Sequence, residues 1–461
     1  MGVRRGAALV VASLVAMLAG SAHAQAPREA PEAASRPSGS ATLQRILELA
    51  ERNHPNIALA RARVAQVRAQ LDEAHFAPFS QFKITGGVGP APAIHGSSSF
   101  SPETDASLSS NLALGWRAGV EGVVPLWTFG KITNLWSAAE ANVRVNVASL
   151  EKDRDDVRFD VRKAYFGLQL ARESLALLVE ARGHIAKALV RLRAQVAADE
   201  ADPGDQFKLE TYAAEMEARE AEARRYVAVA LSGLRFYTGA ADLAVPEEPL
   251  LAPRHQLGHV TRYLAAAKLY RPEMAMAAAG IDARTAQVQL ARAGLFPDLG
   301  LGLSATLSTA PEVANQINPF VNDAGNYLHY GAAVVFQWKL DLLPQAARIR
   351  FAEAQLEEVR AQQRLALGGV GAEVENAYAT VVDWKTRVDA YRRALGWAKK
   401  WLVNVQSGID VGTMEDKDLL EPAKAYAMAK FNLLNATMEL DLAMCGLARA
   451  TGWDAIAPDG A

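Results

Sequence analysis

The stretch LALGWRAGVEGVVPLWTFGK, residues 112–131, joins two periodicities. Leu112, Leu114, Trp116, Ala118, Val120 and Val124 fall on one side of a period-two pattern, and Arg117, Gly119 and Glu121 fall on the other. That alternation predicts a β-strand with one apolar face. Just beyond Gly130 the period changes. Residues 132–197 contain no proline, and Val157, Val161, Ala164, Leu168, Ala171, Leu175 and Leu178 alternate steps of four and three. Ile185, Leu189, Leu192 and Val196 resume the pattern. This is a coiled-coil seam, and at ~1.5 Å per residue the helix would be on the order of 100 Å long.

Working outward, the chain repeats itself. Asn53-His54-Pro55-Asn56-Ile57 opens a helical stretch that ends near Pro78, and Tyr270-Arg271-Pro272-Glu273-Met274 opens another that ends near Pro297. The first half closes on Gly233-Leu234-Arg235-Phe236-Tyr237-Thr238-Gly239, the second on Gly446-Leu447-Ala448-Arg449-Ala450-Thr451-Gly452. A period of roughly 210–220 residues is too long for a solenoid and reads as a duplicated unit. The expected layout is a first repeat over residues 42–240, a linker over 241–258, a second repeat over 259–453 and a tail over 454–461. In the first repeat, strands are expected at 80–89 and 112–127, the long helix at 132–197, a tip turn at 199–205 and a return helix at 206–237. In the second, strands are expected at 298–308 and 328–341, the long helix at 345–406, a tip turn at 408–414 and a return helix at 415–449. Gly368, Gly369 and Gly371 are candidate bends in that second long helix.

The N-terminus carries Arg4 and Arg5, an apolar run from Ala7 to Leu18 and then Ala22-His23-Ala24. This predicts a signal peptide over residues 1–24, with a signal anchor as the alternative. Residues 25–41 read as a flexible segment. No later stretch approaches the ~18 apolar residues of a membrane helix, so entry into a membrane would be as a barrel. Lys plus Arg total 49 against 51 for Asp plus Glu, a near-balance that gives no pull toward nucleic acid. The single cysteine, Cys445, excludes an intramolecular disulfide and reads as a packing residue; lipidation at an N-terminal cysteine is excluded too.

The alternating segments suit tilted strands crossing a bilayer. Trp127, Phe296, Tyr327, Tyr330 and Trp338 stand near their ends as candidate interface aromatics. A soluble sheet with one buried face is the competing reading. Four strands cannot close around a lumen, and lipid does not tolerate an open edge. Membrane strands would therefore need several chains in one barrel, and three copies would give twelve strands.

At this point the chain resembles the TolC family of outer-membrane efflux proteins. Leu49-Ala50-Glu51-Arg52-Asn53-His54-Pro55-Asn56-Ile57-Ala58-Leu59-Ala60 is similar to the family's opening A-x-x-x-N-P-x-L-x-x-A. Pro125-Leu126-Trp127-Thr128-Phe129-Gly130-Lys131 resembles its strand-to-helix phrase P-L-F-x-G-G-R, and Val411-Gly412-Thr413-Met414-Glu415-Asp416-Lys417-Asp418-Leu419-Leu420-Glu421 its second tip. The resemblance implies a mixed α and β membrane protein: a homotrimer with a twelve-stranded outer-membrane β-barrel continued by a long α-helical coiled-coil barrel, two repeats per chain. It implies a passive exit duct of a tripartite efflux or type I secretion system, an adaptor (membrane fusion) protein and an inner-membrane RND or ABC pump as partners, and no cofactor or enzymatic step. The family's D-x-x-D spacing falls on Asp418 and Glu421, which would form acidic rings at the tunnel constriction. Val411, Gly412, Thr413, Pro203 and Gly204 fall on the adaptor-contacting tips. Asp410, Glu415, Asp416 and Asp205, with Asp199, Glu200 and Asp202, would make the entrance acidic and favour cationic or neutral cargo.

Two departures stand out. Residues 196–205 lack the family's V-G-L phrase, and Ile409 and Met414 occupy places of a tyrosine and an arginine that lock the entrance of the best-known member. No H-E-x-x-H, phosphate-binding loop or nucleophile elbow appears. The alternative function is a periplasmic coiled-coil scaffold or adaptor without membrane strands.

Overall fold

The computed structural model describes residues 41–92, 112–199, 201–253, 255–310, 323, 325–411 and 413–458. The expected signal peptide and residues 25–40 lie outside the described residues, as do Glu200, Gly412 and the side chain of Asp416. Two short helices open the chain, α1 (Leu43–Asn53) and α2 (Pro55–Phe76). The strands β1 (Phe82–Pro92) and β2 (Leu112–Trp127) follow, then the long helix α3 (Lys131–Ala197) and its return α4 (Pro203–Thr238). The second half repeats the order with α5 (Val260–Tyr270), α6 (Pro272–Ala293), β3 (Asp298–Thr309), β4 (Tyr327–Gln337), α7 (Leu342–Asp410) and α8 (Leu420–Thr451).

Local chemistry sets these boundaries. Pro55 and Pro272 stand in the first turn of α2 and α6, where a missing N–H costs nothing. His54 caps α2 by accepting the Asn56 N–H at 3.1 Å, and burial lowers its pKa, which favours the neutral ring needed as acceptor. The β2-to-α3 reversal needs two left-handed residues, Phe129 at φ 51° and Gly130 at φ 88°. Lys131 then donates to the Phe296 carbonyl at 2.9 Å and pairs with Asp298 at 2.8 Å, tying the start of α3 to the start of β3. α3 and α7 have 67 and 69 residues, about 100 Å of helix each. Gly368, Gly369 and Gly371 do not interrupt α7, which is helical throughout.

The strands form one antiparallel sheet in the order β1-β2-β3-β4. The helices pack side by side. Near the sheet, α3 packs on α2 and α6, and α6 packs on α7. Toward the tips, α3 packs on α4 and α8, and α8 packs on α7. Each half has its own core between these ends. Ile46, Ile57, Val161, Leu168 and Leu234 fill the first, and Tyr263, Val374, Val381, Met444 and Leu447 fill the second. Cys445 is buried in the first cluster, as a packing residue.

Candidate functional site

The register sorts the sheet into two faces. Ile84 faces Val120, Val120 faces Ala305, and Ala305 faces Tyr330, a row of apolar side chains across all four strands. One residue along, Lys83, Glu121, Ser304 and Gly331 form the neighbouring row on the opposite side. The apolar side is uncovered: Ile84, Val88, Leu114, Tyr330 and Val334 are among the most exposed apolar residues of the protein. The polar side carries a Lys83–Glu121 pair at 3.8 Å and a hydrogen bond from Arg117 to the Tyr327 hydroxyl. Such a sheet is inside out for water. An exposed contiguous apolar face marks contact with lipid or protein.

Three of the five expected interface aromatics, Trp127, Phe296 and Trp338, gather where the sheet meets the helices. Phe129 stacks on Phe296 at 5.3 Å and meets Trp127 edge-on at 6.1 Å. The Trp338 indole N–H donates to the Leu295 carbonyl at 3.0 Å. Tyr330 stands apart, inside β4 opposite Ala305. Phe129, which links the cluster, is absent from the sequence-derived set because its left-handed backbone turns it there.

At the other end, the two hairpin tips are built differently. The first turns through Asp199 at φ 62°, and the Asp202 carboxylate caps α4 by accepting the Gly204 N–H at 2.9 Å. In the second, the Gly408 carbonyl accepts the Thr413 N–H at 2.9 Å, the Thr413 hydroxyl at 3.0 Å and the Met414 N–H at 3.2 Å. A short 3-10 turn (Asp416–Leu419) precedes α8. Asp418 therefore stands in that turn and not on the return helix. Its carboxylate accepts the Glu415 N–H at 3.1 Å in a reciprocal capping box. Glu421 lies in the first turn of α8, exposed. Val411 and Thr413 are exposed, and Asp410 accepts from Gln406 at 3.0 Å.

The tip is less uniformly acidic than its carboxylates suggest. Lys208 pairs with Asp205 at 2.9 Å, and Lys417 with Glu415 at 2.6 Å. Hydrogen bonding to Glu415 and its charge, with Asp418 and Asp205 adding, raise the Lys417 pKa. Met414 packs against Gly408, where an added Cβ would lie 2.9 Å from its sulfur.

Between sheet and tips, ion pairs tie the chain together, with Arg162 their buried member. Arg162 pairs with Asp454 at 2.5 Å, Arg158 with Glu51 at 2.6 Å, and Arg449 with Asp156 at 2.9 Å. Burial pushes the Asp155 pKa up to about 6 despite Arg158 beside it. On α8, Asp441 is fully buried, neither carboxylate oxygen has a hydrogen-bond partner among the described residues, and burial pushes its pKa up to about 8. Among the described residues there is no cluster of three or more metal-ligating side chains, and no helix is long and apolar enough to cross a membrane.

No curated protein sequence matches the chain. Solved structures do match in fold. The open state of the Neisseria gonorrhoeae MtrE outer membrane channel aligns with a TM-score of 0.73 at 17% identity, covering 91% of this chain and 90% of that one. CusC, in structures describing transmembrane channel formation, aligns with a TM-score of 0.72 at 15% identity, covering 89% and 91%. The Campylobacter jejuni CmeC outer membrane channel aligns with a TM-score of 0.70 at 16% identity, covering 89% and 85%. The family model for outer membrane efflux proteins matches residues 46–240 and 264–453, the two halves of the duplication. The chain thus belongs to the outer membrane efflux protein family, the TolC-like channels that its sequence motifs resemble.

Proposed function

We propose that three copies of this chain form a passive exit duct, a twelve-stranded barrel in the outer membrane continued by a helical tube in the periplasm. One observation carries the reading: a sheet with an exposed apolar face, a polar reverse and two unpaired edges, β1 and β4, stands at one end of helices about 100 Å long. Lipid would cover the apolar face, and closure with further copies would pair the edges, since a bilayer accepts only closed sheets. The polar rows of Lys83, Glu121 and Ser304 then line the lumen. The tips, with Val411, Gly412, Thr413, Pro203 and Gly204, would meet a periplasmic adaptor and an RND or ABC pump of the inner membrane in efflux or type I secretion.

In such a trimer Asp418 and Glu421 would form two acidic levels at the constriction, attracting cations. The capping role of Asp418 supports this placement by fixing its carboxylate against the backbone. Lys208 and Lys417 moderate the field, so the entrance favours cationic or neutral cargo without being uniformly negative. Ile409 and Met414 make an apolar closure around Gly408 in place of the family's tyrosine and arginine lock.

Fractionation and planar-bilayer recording test the proposal. Extraction with the outer membrane, only in detergent, and single-channel conductance are expected. Release with soluble periplasmic proteins would reject the duct in favour of a scaffold. For the acidic levels, Asp418→Ala/Glu421→Ala is expected to lower cation selectivity, and unchanged selectivity and conductance would count against them.

A further inference from the structure

Below the girth α3 packs on α4 and α8, and α8 packs on α7; nearer the tips Lys424 of α8 also lies over the Tyr212 ring of α4 at 5.2 Å, and among the described residues no extended contact joins α4 to α7. These two helices are the edges of this packing order. The buried residues of each mark its inward face, with Val374, Val381 and Val388 one heptad apart on α7 and Glu220, Ala223 and Leu234 on α4. Opposite each runs a seam in steps of three and four. On α7 it reads Thr386, Ala390, Arg393, Trp397, Lys400 and Asn404, and every one is exposed. On α4 it reads Thr211, Glu215, Ala218, Glu222 and Arg225, again all exposed. A seam held at this spacing is the pattern a facing helix requires.

The two seams complement each other. α7 runs toward the tip and α4 runs away from it, so copies related by rotation about a tube axis meet antiparallel and level. Counting back from Asp410 and forward from Pro203, Arg393 stands level with Glu220, between Ala218 and Glu222. Trp397 stands level with Met216, between Glu215 and Ala218, and Lys400 with Ala213, between Thr211 and Glu215. Two cations thus face two carboxylates, and a two-thirds-exposed indole faces a methyl group. Within the chain, Lys400 lies over the Trp397 ring at 4.4 Å, and Glu222 accepts from the Tyr226 hydroxyl at 3.2 Å and pairs with Arg225 at 3.9 Å, both on its own helix.

We propose that these seams are the contact between neighbouring copies: the α7 edge of one docks on the α4 edge of the next, with Trp397 over Ala218 of the partner subunit. Arg393 then pairs with Glu222 of the partner subunit and Lys400 with Glu215 of the partner subunit. The contact is heterologous and ends only by closing into a ring. It rests on the assembly proposed above and assigns the faces that close it.

The test uses the full chain purified in detergent with no other protein. Arg393→Glu/Lys400→Glu is expected to lower the temperature at which trimers dissociate by several degrees. Adding Glu215→Lys/Glu222→Lys is expected to restore it, and Lys385→Glu, on another flank of α7, to leave it unchanged. Ala218→Cys/Trp397→Cys is expected to cross-link into dimers and trimers on oxidation, and neither single variant to do so. Trimers that ignore the reversal and do not cross-link would overturn the seam while leaving the assembly intact. Cross-links that form only with an added periplasmic hairpin protein would overturn it too. A monomeric wild type would instead reject the trimer itself.

Discussion

Asp441 makes a stability prediction whose sign depends on pH. Its carboxyl is fully buried on α8 with no hydrogen-bond partner among the described residues, and its pKa is pushed from 3.8 up to about 8. A raised carboxylate pKa means that the folded state holds a proton the unfolded state has released. Stability is therefore fullest below pH ~4 and falls as pH rises toward 8. At ~1.4 kcal/mol per pKa unit the shift sets a ceiling of roughly 6 kcal/mol above pH 8. Local relaxation and water entry reduce this, and about 2–4 kcal/mol is the expected loss. Asp441→Asn keeps the shape and removes the titration. Thermal unfolding followed by far-UV circular dichroism in detergent should give the variant and the wild type similar midpoints at pH 4.5. At pH 8.5 the variant should be higher by roughly 2–4 °C, given how weakly midpoints of long chains respond to free energy. A variant that is less stable at both pH values, or a difference that ignores pH, would show Asp441 to be ionised and paired and would refute the argument.

Other outcomes follow from the same geometry. Gly452 ends α8 at φ 66°, and an added Cβ would lie 2.7 Å from the Tyr270 carbonyl, so Gly452→Ala should cost about 1–3 kcal/mol. Gly183→Ala, in open space within α3, should instead gain up to about 1 kcal/mol, and equal thermal shifts for the two would contradict the assignment. Val120→Arg, mid-strand on the apolar face, should cost ~2–4 kcal/mol of membrane insertion, whereas Ser304→Arg on the polar face beside Glu121 should insert normally; detergent-fraction yields compare them. Glu220 is buried between Arg182 at 3.1 Å and Arg224. Removing both arginines should cost about 3–5 kcal/mol, while Glu220→Leu should be nearly neutral in the same melts.

Patterns confined to one helix or strand were legible in the sequence, and those made by distant partners were not. The alternation of Leu112 to Val124 and the seam from Val157 to Leu178 each record one element's own burial, so they read directly. The row Ile84, Val120, Ala305 and Tyr330 depends on β2 pairing with β3 across α3 to α6, and no local signal carries that register. Ends were the hardest. α7 runs to Asp410, past the expected 406, because Gly408 stays helical and spends its carbonyl on Thr413 and Met414. β4 stops at Gln337, short of 341, although Trp338 and Leu340 continue the alternation, since the Trp338 indole turns to the Leu295 carbonyl. At the second tip the acidic run Glu415 to Asp418 suggests the first turn of a helix. It forms instead a capping box on a 3-10 turn, and the box spacing of three was the available signal.

The duplication explains where the halves agree and where they diverge. At the girth each half meets the same problem, the end of a return helix pressed against the link between two short helices. Each solves it alike. Gly239 and Gly452 both turn at φ 66°, and Thr238 and Thr451 both donate to a carbonyl one turn back at 2.8 Å. Even the cross-links correspond, with Asn53 donating to the Thr238 carbonyl at 2.7 Å and Arg271 to the Ala450 carbonyl at 3.2 Å. The left-handed φ favours glycine in both places, and an added Cβ would press on Asn53 at 3.3 Å in the first and collide with the Tyr270 backbone at 2.7 Å in the second. At the tips the halves touch through Lys424 over the Tyr212 ring at 5.2 Å, a contact outside the two turns that leaves each turn its own shape. There one turn uses a strained Asp199 and the Asp202 cap, the other the Gly408 carbonyl and a 3-10 turn. In the proposed tube of alternating halves this would place two kinds of entrance residue around one mouth, leaving charge and contact at the tip independent of the packing that holds each half.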